Sequence, residues 1–177
     1  DLKDPFVKAW MQYQKPKIEE RSIATLRVET TIDEYSYDAA LRFFMFEGRI
    51  EWQRSIKTGA LAKLTLKESA ANDAIYAQVL PMPFPFHHRE FVTRTIISSD
   101  EGGEDGSLVV AVESVPGENV DYGGTFQAVR ASTTALLKFS PLRFRQCKLS
   151  MYQKVDAAGS IPAWLVNFKL EDTVTWI

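Results

Sequence analysis

The feature that most constrains the fold is a succession of strand-like segments in the second two thirds of the chain. Each segment mixes β-branched or aromatic residues with polar ones in near alternation, which is typical of strands with one buried face. Most of the connections are short and rich in Gly, Ser, Asn or Asp, as hairpins require. Crossover helices have no room, so the sequence predicts an antiparallel sheet. The segments span residues 57–67, 73–80, 89–99, 107–115, 124–131, 134–140 and 144–155.

Helical periodicity is found at both ends of the chain and once before this run of strands. Apolar residues at helical spacing predict short helices over residues 5–14 and 35–46, with a strand over 22–32 between them. A short turn begins at residue 51, and Pro162 suits the first turn of a closing helix. The predicted class is therefore α+β, with one strongly curved antiparallel sheet whose concave face the last helix can cover.

Composition limits the kind of protein further. The chain has 177 residues, 45% of them hydrophobic, which suits a single domain over residues 1–177 with a sizeable core. The 21 basic residues against 23 acidic ones do not favour nucleic-acid binding. No uncharged stretch approaches the roughly 20 apolar residues of a membrane span. The start at Asp1 indicates a domain of a longer protein, and the single Cys147 favours a reducing, cytoplasmic compartment.

Residues with the usual catalytic or metal-binding spacing are not apparent. His87 and His88 are neighbours on an extended segment and point to opposite faces, so they are unsuited to gripping one metal ion. Cys147 lies among alternating strand residues, where a lone cysteine is usually small core filling. The sequence therefore predicts no metal and no cofactor. Glu113 is the one acidic residue that we consider for an acid or base inside the fold, because it ends an otherwise apolar strand.

Alternation along the last strands predicts polar groups on an apolar interior face. If Arg130 points to water, Gln127 and Val129 point inward, and the same argument turns Gln153 inward. A buried amide without a partner costs on the order of 1 to 3 kcal/mol. Gln127 and Gln153 must therefore bond to each other, to other protein groups, to water or to a ligand.

Two stretches carry a more specific signal. Residues 81–92 read Pro-Met-Pro-Phe-Pro-Phe-His-His-Arg-Glu-Phe-Val, and residues 155–167 read Val-Asp-Ala-Ala-Gly-Ser-Ile-Pro-Ala-Trp-Leu-Val-Asn. The first resembles the strand start Arg-Asp-Phe-Val of START domains, the lipid-transfer domains related to the steroidogenic acute regulatory protein, with Glu90 in place of Asp. The second resembles the entry into the C-terminal helix of that family, with Ala158 in place of one Gly. The resemblance covers about residues 18 to 177.

The resemblance implies a helix-grip fold around a tunnel that holds one lipid. A gate would form from the C-terminal helix, 162–177, and the loop 116–124. The residues expected in this lid loop are Pro116, Gly117, Val120, Tyr122 and Gly123. Many relatives place an Arg inside the tunnel where this chain has Thr95, while Arg94 is one residue out of register and should face outward unless a bulge rotates it.

The sequence thus predicts a non-catalytic domain that binds and transfers, or senses, one sterol, phospholipid or sphingolipid and touches membranes transiently. The alternative is a helix-grip enzyme, a cyclase or hydrolase acting on an apolar small molecule. A regulatory module that works with other domains of a longer protein is compatible with the first hypothesis. The expected ligand-binding residues are Thr95, Ile97, Val110, Val112, Glu113, Gln127, Val129, Leu137, Met151, Gln153, Trp164, Asn167 and Phe168.

Overall fold

The computed structural model describes residues 8–13, 23–45, 60–100, 106–124, 126–159 and 161. They form one helix, α1 (Ser36–Met45), and a nine-stranded sheet. The strands are β1 (Lys8–Tyr13), β2 (Ile23–Ile32), β3 (Ala62–Ala70), β4 (Asp73–Leu80), β5 (His88–Ser99), β6 (Leu108–Ser114), β7 (Ala128–Arg130), β8 (Ser132–Arg143) and β9 (Gln146–Asp156).

The strands form one curved sheet in the order β1-β2-β9-β8-β6-β5-β4-β3. Every pair along this path is antiparallel. The exception lies off the path, because β7 pairs with β5 in parallel over His88 to Glu90, beyond the point where β6 ends at Ser114. The chain therefore leaves the sheet after β6 and returns beside the same strand, which creates the loop of residues 115–127.

The helix α1 packs on one face of this sheet, which we call the inner face. Its Ala39, Ala40 and Phe44 are buried in the main core cluster with residues of β2, β5, β6, β8 and β9. The Phe43 ring lies 6.3 Å from that of Phe139 on β8, measured between centroids. On the opposite side of the helix, Arg42 forms an ion pair with Glu34 at 2.5 Å. The helix is thus amphipathic, as its three-and-four spacing predicts.

The predicted α+β class and antiparallel sheet are confirmed. The strand predicted over 73–80 has the observed bounds, and the predicted helix over 35–46 corresponds to α1. The helix predicted over 5–14 is wrong, because residues 8–13 form β1 and pair with Ala24 through Glu29 of β2. Pairing satisfies backbone groups that the edge of β2 would otherwise leave open, and this gain outweighs a short helical apolar pattern.

Two predicted features lie outside the described residues: the short turn that begins at residue 51 and the closing helix 162–177. Among the residues that are described, no helix has both the length and the apolar character that crossing a membrane demands.

Candidate functional site

The inner face carries a continuous apolar row that crosses five strands. Its members are side-by-side partners on adjacent strands, and none is more than 8% exposed. They belong to the cluster that holds α1. The row therefore forms part of the apolar surface on which α1 packs. It includes four of the expected ligand-binding residues. From β2 to β5 it consists of Val28, Met151, Leu137, Val110 and Ile97.

The next row along the strands, which we call the polar row, mixes apolar and polar side chains. It runs through Leu26, Gln153, Ala135, Val112, Thr95 and Ala74, again as direct partners. Two of its polar atoms, Oγ1 of Thr95 and Oε1 of Gln153, are buried without a hydrogen-bond partner in the described structure. Such atoms are uncommon in folded proteins and call for an explanation. The predicted inward orientation of Thr95 and Gln153 is confirmed.

A short hydrogen-bond chain holds the Gln153 amide. Its Nε2 donates to Oγ1 of Thr133 at 3.1 Å, and that hydroxyl donates to the backbone carbonyl of Lys154 at 3.1 Å. The backbone N–H of Thr133 donates to Oγ of Ser114 at 2.7 Å. Of the explanations that the sequence leaves open for Gln153, bonding to another protein group accounts for its nitrogen, but no protein group among the described residues bonds its oxygen.

Gln127 and Glu113 do not face the interior, so their predicted positions on the inner face are wrong. Gln127 is exposed and precedes β7, which begins at Ala128. The N–H of Ala128 donates to the carbonyl of Phe126, and this turn interrupts the strand alternation that was counted back from Arg130. Glu113 is exposed and directly opposite Arg94. Since neighbouring strand residues face opposite sides, the inward Val112 forces Glu113 outward.

Arg94 lies on the outer face, as its register predicts. Its guanidinium binds Asp73 through two hydrogen bonds of 2.6 and 2.8 Å. The hydrogen bond from Arg94 holds the pKa of the Asp73 carboxyl below its ordinary value. Arg94 is therefore paired outside the fold and offers no anchor to a ligand on the inner face.

A second arginine of β5, Arg89, is buried at the other end of the strand. Its guanidinium donates to the backbone carbonyls of His87, His88, Ala157 and Ala158. Burial lowers the pKa of Arg89 below its ordinary value. These bonds tie the start of β5 to the turn that follows β9 and leads to residue 161. The motif at residues 81–92 contains this arginine, but its spacing alone gives no sign of this bracing role.

The loop 116–124, which is expected to act as a lid, is anchored to the outer face of the sheet. The Tyr122 hydroxyl donates to Oε1 of Glu90 at 2.9 Å, and Arg130 donates to Oε2 of Glu90 at 2.7 Å and to the carbonyl of Glu118 at 2.6 Å. Burial, followed by the bond to Glu90, raises the pKa of Tyr122. Among the remaining lid residues, the side chain of Val120 is half-buried, whereas Pro116, Gly117 and Gly123 are exposed.

The other expected site residues divide into two groups. Val129 is half-buried and pairs with Arg89 across β7 and β5. Trp164, Asn167 and Phe168 lie outside the described residues. The structure therefore brings together the inward residues of β5, β6, β8 and β9.

Comparison with solved structures identifies the fold. Human STARD10 superposes with a TM-score of 0.67 at 15% identity over 97% of this chain and 69% of that one. A STAR-related lipid transfer protein from Xanthomonas axonopodis gives 0.67 at 20% identity, covering 97% and 89%. The lipid transfer and protein localization domain of human StarD13 gives 0.64 at 16% identity, covering 94% and 80%. No family model and no curated protein matches the sequence.

The chain therefore has the helix-grip fold of START domains. Of the two stretches that suggested the resemblance, 81–92 leads into β5 and covers its start, and the described part of 155–167, residues 155–159 and 161, covers the end of β9 and the turn after it. Arg89 joins these two segments through its bonds to the carbonyls of Ala157 and Ala158.

Proposed function

We propose that this domain binds one lipid between the inner face of the sheet and the closing segment 162–177, and carries it between membranes without reacting with it. A long acyl chain or a fused ring system gains about 0.8 kcal/mol for each buried CH₂ group, so apolar contact alone supplies affinity. The membrane contact is transient, the working compartment is the cytoplasm, and further domains of a longer protein are compatible with this role.

One observation carries the proposal: the inner face is apolar, yet it holds two buried polar atoms that have no hydrogen-bond partner among the described residues, in a fold shared with lipid transfer domains. A face that served only as core would gain from apolar residues at these positions, since an unpaired buried polar atom is unfavourable. A bound molecule with an apolar part and a polar part would contact the apolar face and form hydrogen bonds with the buried polar atoms.

The groups considered for catalysis favour a carrier over the helix-grip enzyme. Glu113 lies on the outer face, away from a bound guest. Burial raises the pKa of the Cys147 thiol to about 11, so the nucleophilic thiolate is scarce at neutral pH. The cyclase or hydrolase alternative therefore has no specific residue in its favour among those that the structure describes.

A vesicle transfer assay with two matched variants tests the proposal. Ala135 lies on the inner face in the polar row, whereas Ala111 of the adjacent strand is exposed on the outer face. Ala135→Leu adds bulk where a guest would lie, and Ala111→Leu adds the same bulk outside. We expect the wild type and Ala111→Leu to speed lipid transfer between vesicles, and Ala135→Leu to be slower by about tenfold, given an overpacking cost of 1 to 3 kcal/mol. A folded wild-type protein that transfers no lipid would contradict the proposal.

A further inference from the structure

We propose, on the basis of the function above, that Oε1 of Gln153 accepts a hydrogen bond from the ligand. The ligand is then a lipid whose polar end carries a neutral donor, a hydroxyl or an amide N–H. Three features of the structure point to such a ligand: the fixed orientation of this amide, the burial of its oxygen, and the bonds that already hold the inner-face cations.

The orientation of the Gln153 side chain follows from the chain of hydrogen bonds that holds it. The Thr133 hydroxyl has one proton, and it donates that proton to the carbonyl of Lys154. It can therefore only accept from Gln153, and Nε2 provides this bond at 3.1 Å. Turning the amide over would place Oε1 against another acceptor, so the oxygen must point away from Thr133.

The oxygen so directed is a buried acceptor without a donor. Oε1 of Gln153 has essentially no exposed surface and no partner in the described structure. Its neighbours in the polar row are Leu26 and Ala135, which have no side-chain donor. A guest that brings a donor to this point removes the desolvation cost, whereas a phosphodiester or a trimethylammonium group brings none.

The inner-face cations of the described structure are already engaged, which favours a neutral polar end over a phosphate. The Arg89 guanidinium is bonded to backbone carbonyls. Lys63 is opposite the inward Gln78 on the adjacent strand, so it belongs to the same face. It is 7% exposed and already interacts with another group of the protein. A phosphate on the inner face would have to displace one of these contacts.

The test compares two probes that differ only in the donor: 1,2-dioleoylglycerol and its 3-O-methyl ether. Binding of each is measured by displacement of a fluorescent fatty acid from the whole chain. We expect the wild type to bind the free alcohol about tenfold more tightly, because a site built to bond a donor rejects the analogue without one. Gln153→Met keeps the size of the side chain and removes the acceptor, so the preference should vanish. Gln127→Met makes the same change at an exposed position and should keep it.

Thr133→Val provides a second route if Gln153→Met does not fold. It removes the hydroxyl that fixes the amide, so the preference should fall below about threefold. Equal binding of the two probes by the wild type would overturn the inference. So would co-purification of a lipid without a donor, such as phosphatidylcholine, which would leave the proposed function intact. A chain that binds neither probe and retains no lipid would overturn the proposed function itself.

Discussion

At the scale of single residues, the two arginines of β5 show how side-chain direction decides the role of a charge. Arg89 points inward and is bonded to four backbone carbonyls, whereas Arg94 points outward and pairs with Asp73. The buried guanidinium replaces its hydration with fixed carbonyls, so its removal would leave those acceptors unpaired. The exposed pair is screened by water, and its removal changes little.

We therefore expect Arg89→Met to lower the free energy of unfolding by about 2 to 4 kcal/mol, since several hydrogen bonds to a charged group are lost. Urea denaturation followed by circular dichroism measures this change. Arg94→Met, the same substitution five residues along the strand, is the control and should lose far less. Equal losses for the two variants would contradict the bracing role of Arg89.

The buried thiol of Cys147 should make the free energy of unfolding depend on pH. Burial, and to a smaller extent the charge of Glu34, raises the pKa of this thiol to about 11 in the folded chain, against about 8.5 in an unfolded one. The thiol thus keeps its proton to higher pH in the folded state than in the unfolded state. The stability that the protonated thiol contributes is therefore complete below about pH 8.5 and is lost as the pH rises toward 11.

The slope of unfolding free energy against pH between 9 and 11 should therefore be negative in the wild type and shallower in Cys147→Ala. Urea denaturation at several pH values gives both slopes. The thiol should also resist iodoacetamide at pH 8 until urea unfolds the chain. Rapid labelling of the folded protein would contradict the buried, protonated state.

At the scale of elements, the loop 116–124 is held at its base by the cluster of Glu90, Tyr122 and Arg130. If this loop is a lid, its motion is limited by these bonds. Tyr122→Phe deletes the hydroxyl that bonds Glu90 and leaves the ring contact with Phe126 at 5.7 Å. The loop should then open more often.

We expect the backbone amides of residues 117–124 to exchange with deuterium about 3- to 10-fold faster in Tyr122→Phe, because one hydrogen bond of about 1 kcal/mol is lost. Tyr152→Phe, at a tyrosine 52% exposed, is the control and should leave this exchange unchanged. Bound lipid should slow exchange in the same segment of the wild type. If lipid has no effect there, the loop is not a lid.

Most elements could be predicted from the sequence, because turn residues and alternation are local signals. β4 was bounded by Ala-Asn before it and Pro-Met-Pro after it, and its prediction over 73–80 matches. β1 could not be predicted, because its strand state depends on the distant edge of β2. Gln127 was misplaced because a turn at Phe126 breaks the alternation, and that turn has no marked sequence signal.

At the scale of the whole molecule, the sheet sorts its side chains into an apolar row beneath α1 and a polar row beside it. Alternation predicts which residues face inward, and this places Thr95 and Gln153. It does not predict which of them finds a partner, because that depends on residues brought together from β8 and β9. The lack of a partner for Oε1 of Gln153 among the described residues therefore follows from the tertiary structure and not from any local sequence motif.

Native mass spectrometry of the purified chain measures whether the interior holds one lipid molecule. We expect a species heavier than the bare chain by the mass of one lipid, which collisional activation releases as a single neutral or singly charged molecule. A folded chain that shows only its bare mass, even after incubation with lipid vesicles, would mean that the interior binds no lipid.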